Sequence, residues 1–162
     1  MLAASSVFGG EQDQSDKYRA HELSLDAFGT GSIGQQTIDN LTGARIRHDI
    51  RLGAGVGLNY FLTRNLGFGA EAYSENPHHN FVDSTSASMI LRLPLGQSGF
   101  APYALAGAGR QFDPTKRWFG HLGTGLEYRF TPKIGIFTDV RYVLVDGGNN
   151  YGLGRAGLRF SF

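Results

Sequence analysis

Hydrophobic and polar positions alternate with a period of two along most of the chain. The clearest stretch is Ile46–Phe61, where even positions carry Ile, His, Ile, Leu, Ala, Val, Leu and Tyr, and odd positions carry charges, glycines, Asn and Phe. Successive side chains of a β-strand point to opposite faces, so this alternation predicts a strand with one apolar face. The strand is far longer than the five or six residues of an average one. Its second face, rich in Gly and opposite charges, suits the crowded interior of a narrow membrane barrel.

Alternating segments of this kind recur along the chain, separated by turn signals. They span residues 20–29, 46–61, 66–75, 84–95, 100–112, 118–130, 134–146 and 151–162. The connections 63–65, 96–99 and 131–133 are tight turns, whereas most of the others are longer, above all Thr30–Arg45. Short turns on one side and longer loops on the other are typical of transmembrane barrels. We therefore predict an all-β protein, an eight-stranded antiparallel up-and-down transmembrane β-barrel over residues 20–162, preceded by a flexible N-terminal tail, residues 1–19.

The composition agrees with a single membrane-embedded domain. The chain has 162 residues, 24 of them Gly, and no Cys, which excludes disulfides and thiolate metal sites. Its 15 basic and 14 acidic residues give no electrostatic basis for binding nucleic acid. No apolar run is long enough for a transmembrane helix, and a barrel needs none. Residues 1–7 are small and weakly apolar, and two interpretations stay open: the remnant of a signal peptide, or an ordinary flexible terminus.

Charged side chains in the predicted strands, Arg110 included, all fall on the face that we assign to the barrel interior. Eight strands leave an interior just wide enough for side chains, and the planar guanidinium of Arg pairs well with carboxylates there. Glu22 and Asp26 share this face. The predicted lumen network is Arg47, Asp49, Arg51, Glu71, Glu75, Arg92, Glu127, Arg129, Asp139, Arg141, Arg155 and Arg159. We expect it to plug the lumen; the alternative is a gated, narrow ion path whose conductance responds to neutralising Arg47 or Arg141.

Aromatic residues gather near the tight turns and the C-terminus, which share one edge of a closed barrel. The predicted interfacial girdle at that edge is Tyr60, Tyr103, Tyr128, Phe130 and Phe160. A soluble ligand-binding β-barrel is the alternative at the level of the fold. It offers no reason for aromatic residues to gather at one rim.

The last strand alternates apolar residues and ends on Phe162. This ending resembles the terminal signature of bacterial outer-membrane barrels, which the barrel-assembly machinery reads during biogenesis. The stretches Ala101–Gly109 and Asp139–Tyr142 resemble strands of small OmpA-like barrel domains. The resemblance covers about residues 20–162 and implies an outer-membrane location with both chain ends periplasmic, outer-membrane lipid as the surroundings, and Phe162 as the assembly signal. Only the barrel domain of that family is matched, so no peptidoglycan-binding role is expected.

No catalytic, metal-binding or cofactor-binding constellation stands out. His78 and His79, near Asp83, lack a fixed ligand geometry, and solvated loop residues are the simpler interpretation. We expect His121 to be a network member rather than a base, and His48 to face outward. Lipid-modifying enzymes occur on small outer-membrane barrels, but the His-x-Ser pattern of the deacylases is absent from this sequence. No Ser–His–acid set can be assembled from the predicted strands.

The sequence thus predicts a non-enzymatic outer-membrane protein without a cofactor. We expect a membrane scaffold or anchor whose loops or rim contact a protein partner or surface ligand in the envelope, with residues 30–45 as the main candidate loop. A small ion-conducting channel, a lipid-modifying enzyme and a soluble ligand-binding barrel remain the alternatives, because function on such scaffolds resides in grafted sites rather than in the fold.

Overall fold

Eight strands close into one antiparallel barrel. The computed structural model describes residues 17–34, 36–38, 45–47, 50–75, 82–112, 116–147 and 150–162. Its strands are β1 Glu22–Ile33, β2 Gln36–Ile38, β3 Arg45–Arg47, β4 Arg51–Phe61, β5 Leu66–Ser74, β6 Ser84–Arg92, β7 Phe100–Gln111, β8 Arg117–Arg129, β9 Ile134–Val145 and β10 Tyr151–Ser161. Strand β1 pairs with β4 on one side and β10 on the other, and β2 and β3 form a separate two-stranded sheet. The predicted fold class is confirmed. No helix in these ranges is long and apolar enough to span a membrane.

Three short connections lie at one end of the barrel, which we call the turn side; the opposite end is the loop side. The turn-side connections follow β4, β6 and β8. In the first, Thr63 Oγ1 accepts hydrogen bonds from the backbone N–H groups two and three residues later, at 3.2 and 2.9 Å. Thr131 does the same in the last, at 3.2 and 3.1 Å. A hydroxyl that satisfies backbone donors in this way stabilises a tight turn locally.

The outer face of the barrel wall is apolar and the inner face is polar, which is the reverse of a soluble barrel. Outward-facing side chains are mostly apolar and exposed, such as Val56, Leu122 and Val140. Inward-facing ones are buried and largely polar or charged, such as Ser24, Glu127 and Arg129. Exposing the apolar face to water would be unfavourable, so the outer surface requires an apolar medium.

The long strand predicted over Ile46–Phe61 is wrong as a single element. Only Arg51–Phe61 belongs to the barrel wall, while Arg45–Arg47 pairs with Gln36–Ile38 in the separate hairpin. The connection predicted as loop, Thr30–Arg45, accordingly holds the end of β1, the strand β2 and the start of β3. Both the hairpin and the barrel strand are extended, so a period of two continues through both and cannot show where one ends.

The predicted faces of β7 are also wrong. Tyr103 is buried inside the barrel rather than in the aromatic girdle, and Arg110 is exposed on the outer face rather than inside. The run Ala101–Gly109 has small residues on both faces, so hydrophobicity does not determine which face points inward. Phe100 is exposed on the outer face, and Tyr103 is three residues further along the strand; because residues an odd number apart lie on opposite faces of a strand, Tyr103 points inward.

Tyr18 lies against the turn side of the barrel. This residue falls within the range assigned to the tail, yet it is 1% exposed. Its hydroxyl donates a hydrogen bond to the carbonyl oxygen of Gly99 at 2.6 Å, and its ring lies 4.6 Å from the guanidinium carbon of Arg92 and 4.7 Å from that of Arg129. The residues just before β1 therefore cover the turn-side mouth of the lumen.

Candidate functional site in the barrel lumen

A cluster of carboxylates and guanidinium groups fills the turn-side half of the lumen. Arg129 makes a bidentate contact with Glu22, with its Nη2 at 2.5 Å from Oε1 and its Nη1 at 2.8 Å from Oε2. Its Nε donates to Glu127 Oε1 at 2.6 Å. Arg92 Nη1 donates to the same Glu22 at 3.2 Å. These side chains are fully buried, so each charge depends on its partners rather than on water.

Arg159 extends this cluster along the wall. Its Nε and Nη2 donate to the two carboxylate oxygens of Asp26 at 2.8 and 2.7 Å, and its Nη1 donates to Glu127 Oε2 at 2.5 Å. Asp26 also accepts a hydrogen bond from Asn59 at 2.8 Å. We call this group, Glu22, Asp26, Arg92, Glu127, Arg129 and Arg159, the turn-side cluster.

A second cluster occupies the loop-side half and has four members, Glu71, Asp139, Arg141 and Arg155; we call it the loop-side cluster. Arg155 forms a bidentate contact with Asp139 at 3.0 and 2.6 Å and also pairs with Glu71. Arg141 donates to Glu71 Oε1 at 2.5 Å and to Asp139 Oδ1 at 2.9 Å. The hydroxyl of Tyr103 completes the cluster by donating to Asp139 Oδ2 at 2.8 Å.

Each cluster is balanced in charge. The turn-side cluster joins three carboxylates to three guanidinium groups, and the loop-side cluster joins two to two. Low local dielectric strengthens such pairs and makes an unpaired member costly. Beyond the loop-side cluster, towards the loop side, lies a group of buried side chains that pack together: Phe28, Tyr73, Phe119, Phe137, Val143, Tyr151 and Leu153. The described lumen is therefore filled by paired charges and aromatic side chains.

One close pair of side chains inside the barrel is not predicted by the sequence pattern. Ser88 Oγ lies 2.9 Å from His121 Nε2, joining β6 and β8 across the lumen. The alternation predicts that His121 faces inward, but it carries no information on the register between strands, so no His could be assigned opposite Ser88. Both residues are buried, and no hydrogen bond to a carboxylate orients the other ring nitrogen among the described residues. A hydrolytic nucleophile requires such an orienting group and access for substrate.

The remaining predicted network members lie at or beyond the loop-side mouth. Arg51 starts β4, and Glu75 follows β5. Burial raises the pKa of Glu75 to about 7, Asp83 adds to this rise, and Ser32 and Arg51 oppose it. Arg47 lies in β3, in the separate sheet rather than the barrel wall, and Asp49 lies outside the described residues. The predicted network members that belong to the turn-side and loop-side clusters are thus brought together. The other four, Arg47, Asp49, Arg51 and Glu75, belong to neither cluster.

Comparison with known proteins gives the family of this fold. The family described as outer membrane protein beta-barrel domain matches residues 2–162. The chain belongs to this family. Among solved structures, the N-terminal β-barrel domain of Pseudomonas aeruginosa OprF is similar, with a TM-score of 0.65 and 18% identity over 89% of this chain and 99% of that one. A comparison with curated protein sequences found no match.

Two further outer-membrane barrels share the fold. Neisserial surface protein A gives a TM-score of 0.57 at 19% identity, covering 87% of this chain and 96% of that one. The outer membrane protein OprG from Pseudomonas aeruginosa gives 0.52 at 14% identity, covering 90% and 97%. At these identities the likeness shows the fold alone. The apolar outer face of this outer membrane protein therefore meets lipid.

The girdle residues of this outer membrane barrel lie on the outer face near the turn side, apart from Tyr103, which points into the lumen. Tyr60 and Phe130 are exposed on the outer face, and Tyr128 and Phe160 are half-buried there. The Tyr128 ring lies 4.5 Å from that of Phe100 and 5.1 Å from that of Phe130, centroid to centroid. Side chains of this type favour the interface between hydrocarbon and water.

The predicted absence of a metal site concerns partly undescribed residues. His78, His79 and His48 lie outside the described ranges. Within those ranges, no group of three or more His, Asp or Glu side chains is placed to hold a metal ion. Asp83 instead accepts hydrogen bonds from the Glu75 backbone N–H at 2.7 Å and the Ser74 hydroxyl at 3.0 Å, as a loop-stabilising carboxylate does.

Proposed function

We propose that this protein is a non-enzymatic scaffold or anchor of the outer membrane, whose lumen is closed and whose contacts are made at its rim and loops. The observation that carries the proposal is the pair of charge-balanced clusters that fill the lumen. A conducting path needs space for hydrated ions and charges that are free to meet them. Here five guanidinium groups and five carboxylates are paired with one another.

Chemistry inside the barrel is the less favoured role. Ser88 and His121 are close enough for proton transfer, but the pair is buried inside the barrel, and none of the described carboxylates orients it. A lipid-modifying enzyme would require these groups at a surface that lipid reaches. The Ser88–His121 pair is better explained as a hydrogen bond that satisfies two buried polar groups.

The rim offers the surface for contacts. On the loop side, the hairpin β2–β3 extends the chain beyond the barrel wall, as a separate sheet. Loops carried on a rigid scaffold are the usual place for binding residues. We therefore assign contact with an envelope partner to the loop side, and place the turn side and both chain ends in the periplasm.

We place the predicted assembly signal on the same, periplasmic side. Phe162 is 69% exposed at the turn-side end of β10, and its backbone N–H is bonded to Leu23 at 2.8 Å. An exposed terminal aromatic beside the strand that closes the barrel is available to the barrel-assembly machinery, for which we propose it as the assembly signal.

Conductance in planar bilayers tests the closed lumen. The purified protein should give no discrete current steps at neutral pH. Current steps whose size changes in Arg141→Gln, but not in the turn variant Lys133→Gln, would show that the lumen conducts and that the channel alternative holds.

Thiol labelling of whole cells tests the orientation. A Cys introduced at Lys116, exposed on the loop side just before β8, should react with a membrane-impermeant reagent in intact cells, whereas one at Lys133, exposed in the turn after β8, should react only after the outer membrane is opened. The reverse pattern would contradict the periplasmic placement of the turn side. A photo-crosslinker at Thr37, with Lys133 as the matched position, then tests contact: the absence of any adduct specific to Thr37 would remove the partner-binding part of the proposal.

A further inference from the structure

A groove on the lipid-facing surface runs across β4 to β8. It has a volume of about 690 Å³ and is broadly open on the outer surface. Its floor is formed where small side chains come side by side on adjacent strands. Ala70 lies opposite Ala87, and Ala87 lies opposite Ala108. Three adjacent strands span about 10 Å, so the floor has room for a hydrocarbon chain.

Bulky side chains border this floor. Leu25, Val56 and Leu58 flank it on one side and Trp118 on the other. On the turn side, the next row of outward residues is Phe68, Met89, Ala106 and Leu122, of which all but Ala106 are large and exposed. The depression is therefore bounded on the turn side except at Ala106, and it is open to lipid and towards the loop side.

A single guanidinium group stands at the loop-side end of the groove. Arg110 is the one charged residue that points outward from the described barrel strands, and no ion pair involving it is formed among the described residues. Its guanidinium carbon lies 5.8 Å from the centroid of Phe112 and 5.5 Å from that of Trp118. Directly across the strands from it lie Thr85 and, beyond, Ala72.

The position of Arg110 along the barrel axis determines which part of the lipid it contacts. Ten residues separate it from Phe100, whose ring packs on that of the girdle residue Tyr128, and at about 3.3 Å per residue on a strand tilted by about 40° this corresponds to about 25 Å along the barrel axis. That distance equals the height of the apolar band of such barrels, so Arg110 lies at the level of the lipid headgroups on the loop side. Trp118 beside it is a residue type favoured at that level.

We propose that the groove binds an anionic, phosphate-bearing membrane lipid, with an acyl chain on the alanine floor and the phosphate at Arg110. A guanidinium group forms a planar fork that matches phosphate geometry, and the interface weakens competition from bulk water. Charge complementarity favours this occupant over a second copy of the chain. The outward face of the described barrel strands carries no carboxylate that a second Arg110 could meet.

Lipid retention measured by native mass spectrometry tests this site. Protein reconstituted with phosphatidylglycerol or with phosphatidylcholine, the two probes, is released into mild detergent, and bound lipids are counted. The intact protein should retain about one phosphatidylglycerol and little phosphatidylcholine. Arg110→Gln should weaken retention of phosphatidylglycerol about tenfold, the effect expected for the loss of one charge-assisted contact. Lys116→Gln, which removes an exposed loop-side cation outside the groove lining, is the control for net charge and should change retention less than about twofold.

Filling the groove tests the acyl-chain part independently. Ala87→Leu with Ala108→Leu should weaken retention of phosphatidylglycerol, whereas Ala104→Leu, outward on the same strand as Ala108 but outside the groove, should not. All these positions face lipid, and folding of each variant is checked by its migration on gels without heating. Equal retention of the two lipids, or equal effects of Arg110→Gln and Lys116→Gln, would overturn the proposal. A dimer of the intact protein that Ala87→Leu dissolves would assign the groove to a second copy instead.

Discussion

Arg155 and Asp139 lie directly opposite each other on β10 and β9, and their side chains form a two-point contact inside the barrel, at 3.0 and 2.6 Å. The backbone register alone brings these two groups face to face. The same holds for Arg159 and Asp26 at the seam between β10 and β1. The last strand thus contributes one guanidinium group to each cluster, and the barrel closes through paired charges as well as backbone hydrogen bonds.

Asp139→Asn should destabilise the folded barrel by about 3–5 kcal/mol. It leaves Arg141 and Arg155 with only Glu71 as a carboxylate partner, and an uncompensated buried charge costs that much. Urea unfolding in lipid vesicles measures the change in free energy. Lys133→Gln, at an exposed turn, is the control and should shift stability by no more than about 0.5 kcal/mol. Equal midpoints for the two variants would show that the loop-side cluster does not stabilise the fold.

Tyr18→Phe should cost about 1 kcal/mol, because it removes one buried hydrogen bond to Gly99 but keeps the ring over Arg92 and Arg129. Tyr18→Leu should cost more, since it also removes the contacts between the ring and the two guanidinium groups. Tyr142→Phe, on the exposed outer face, is the matched control. Wild-type stability of Tyr18→Leu in the same urea titration would mean that residues before β1 do not hold the turn-side mouth.

Gly125→Ala should impair folding, whereas Gly120→Ala on the same strand should not. A Cβ at Gly125 would meet Tyr103 Cζ at 2.5 Å and Asp139 Cβ at 2.6 Å, displacing the tyrosine from the carboxylate. A Cβ at Gly120, which points outward, would find its nearest atom at 3.8 Å. The folded fraction after refolding, measured by gel migration without heating, compares the two variants. Equal folded fractions would contradict the inward placement of Tyr103.

Stability should fall as pH rises from about 4.5 towards 7, by an amount that Glu75 controls. Burial raises the pKa of Glu75 from 4.5 to about 7, so the folded state binds a proton that the unfolded state has released in this range. Stability then decreases with pH until Glu75 is ionised in both states. In Glu75→Gln this part of the slope should disappear from the pH dependence of the urea midpoint. An unchanged slope would show that Glu75 is not held in a buried environment.

The strand pattern and most inward and outward assignments could be predicted from the sequence, because side-chain alternation follows from strand geometry alone. Leu23, Leu25 and Ala27 of β1 point outward as the alternation requires, and so does the alternating apolar set of β9, Ile134, Ile136, Val140, Tyr142 and Leu144. Alternation does not predict the inward face of a strand whose two faces carry similar residues. In β7 small residues occupy both, and placing Arg110 inside by its charge reversed the whole strand.

Pairings across the lumen could not be predicted in the same way. Arg129 meets Glu22, 107 residues earlier in the chain, because barrel diameter and strand stagger bring β8 opposite β1. The same applies to Ser88 and His121. The burial of Tyr18 could not be predicted for a different reason: a single aromatic residue in a polar segment shows no periodicity. Its role follows from the guanidinium groups of Arg92 and Arg129, against which its ring packs in the closed barrel.

The central claim, a filled and closed lumen, is tested most directly by the reactivity of a thiol placed within it. The chain has no Cys, so Ser88→Cys introduces one thiol of nearly the same size at a buried inward position. In the folded, lipid-embedded protein a charged, water-soluble thiol reagent should leave this position unmodified, while Lys133→Cys at an exposed turn reacts fully. Modification of Ser88→Cys at a rate close to that of Lys133→Cys would show that water and ions enter the lumen, and would contradict the account.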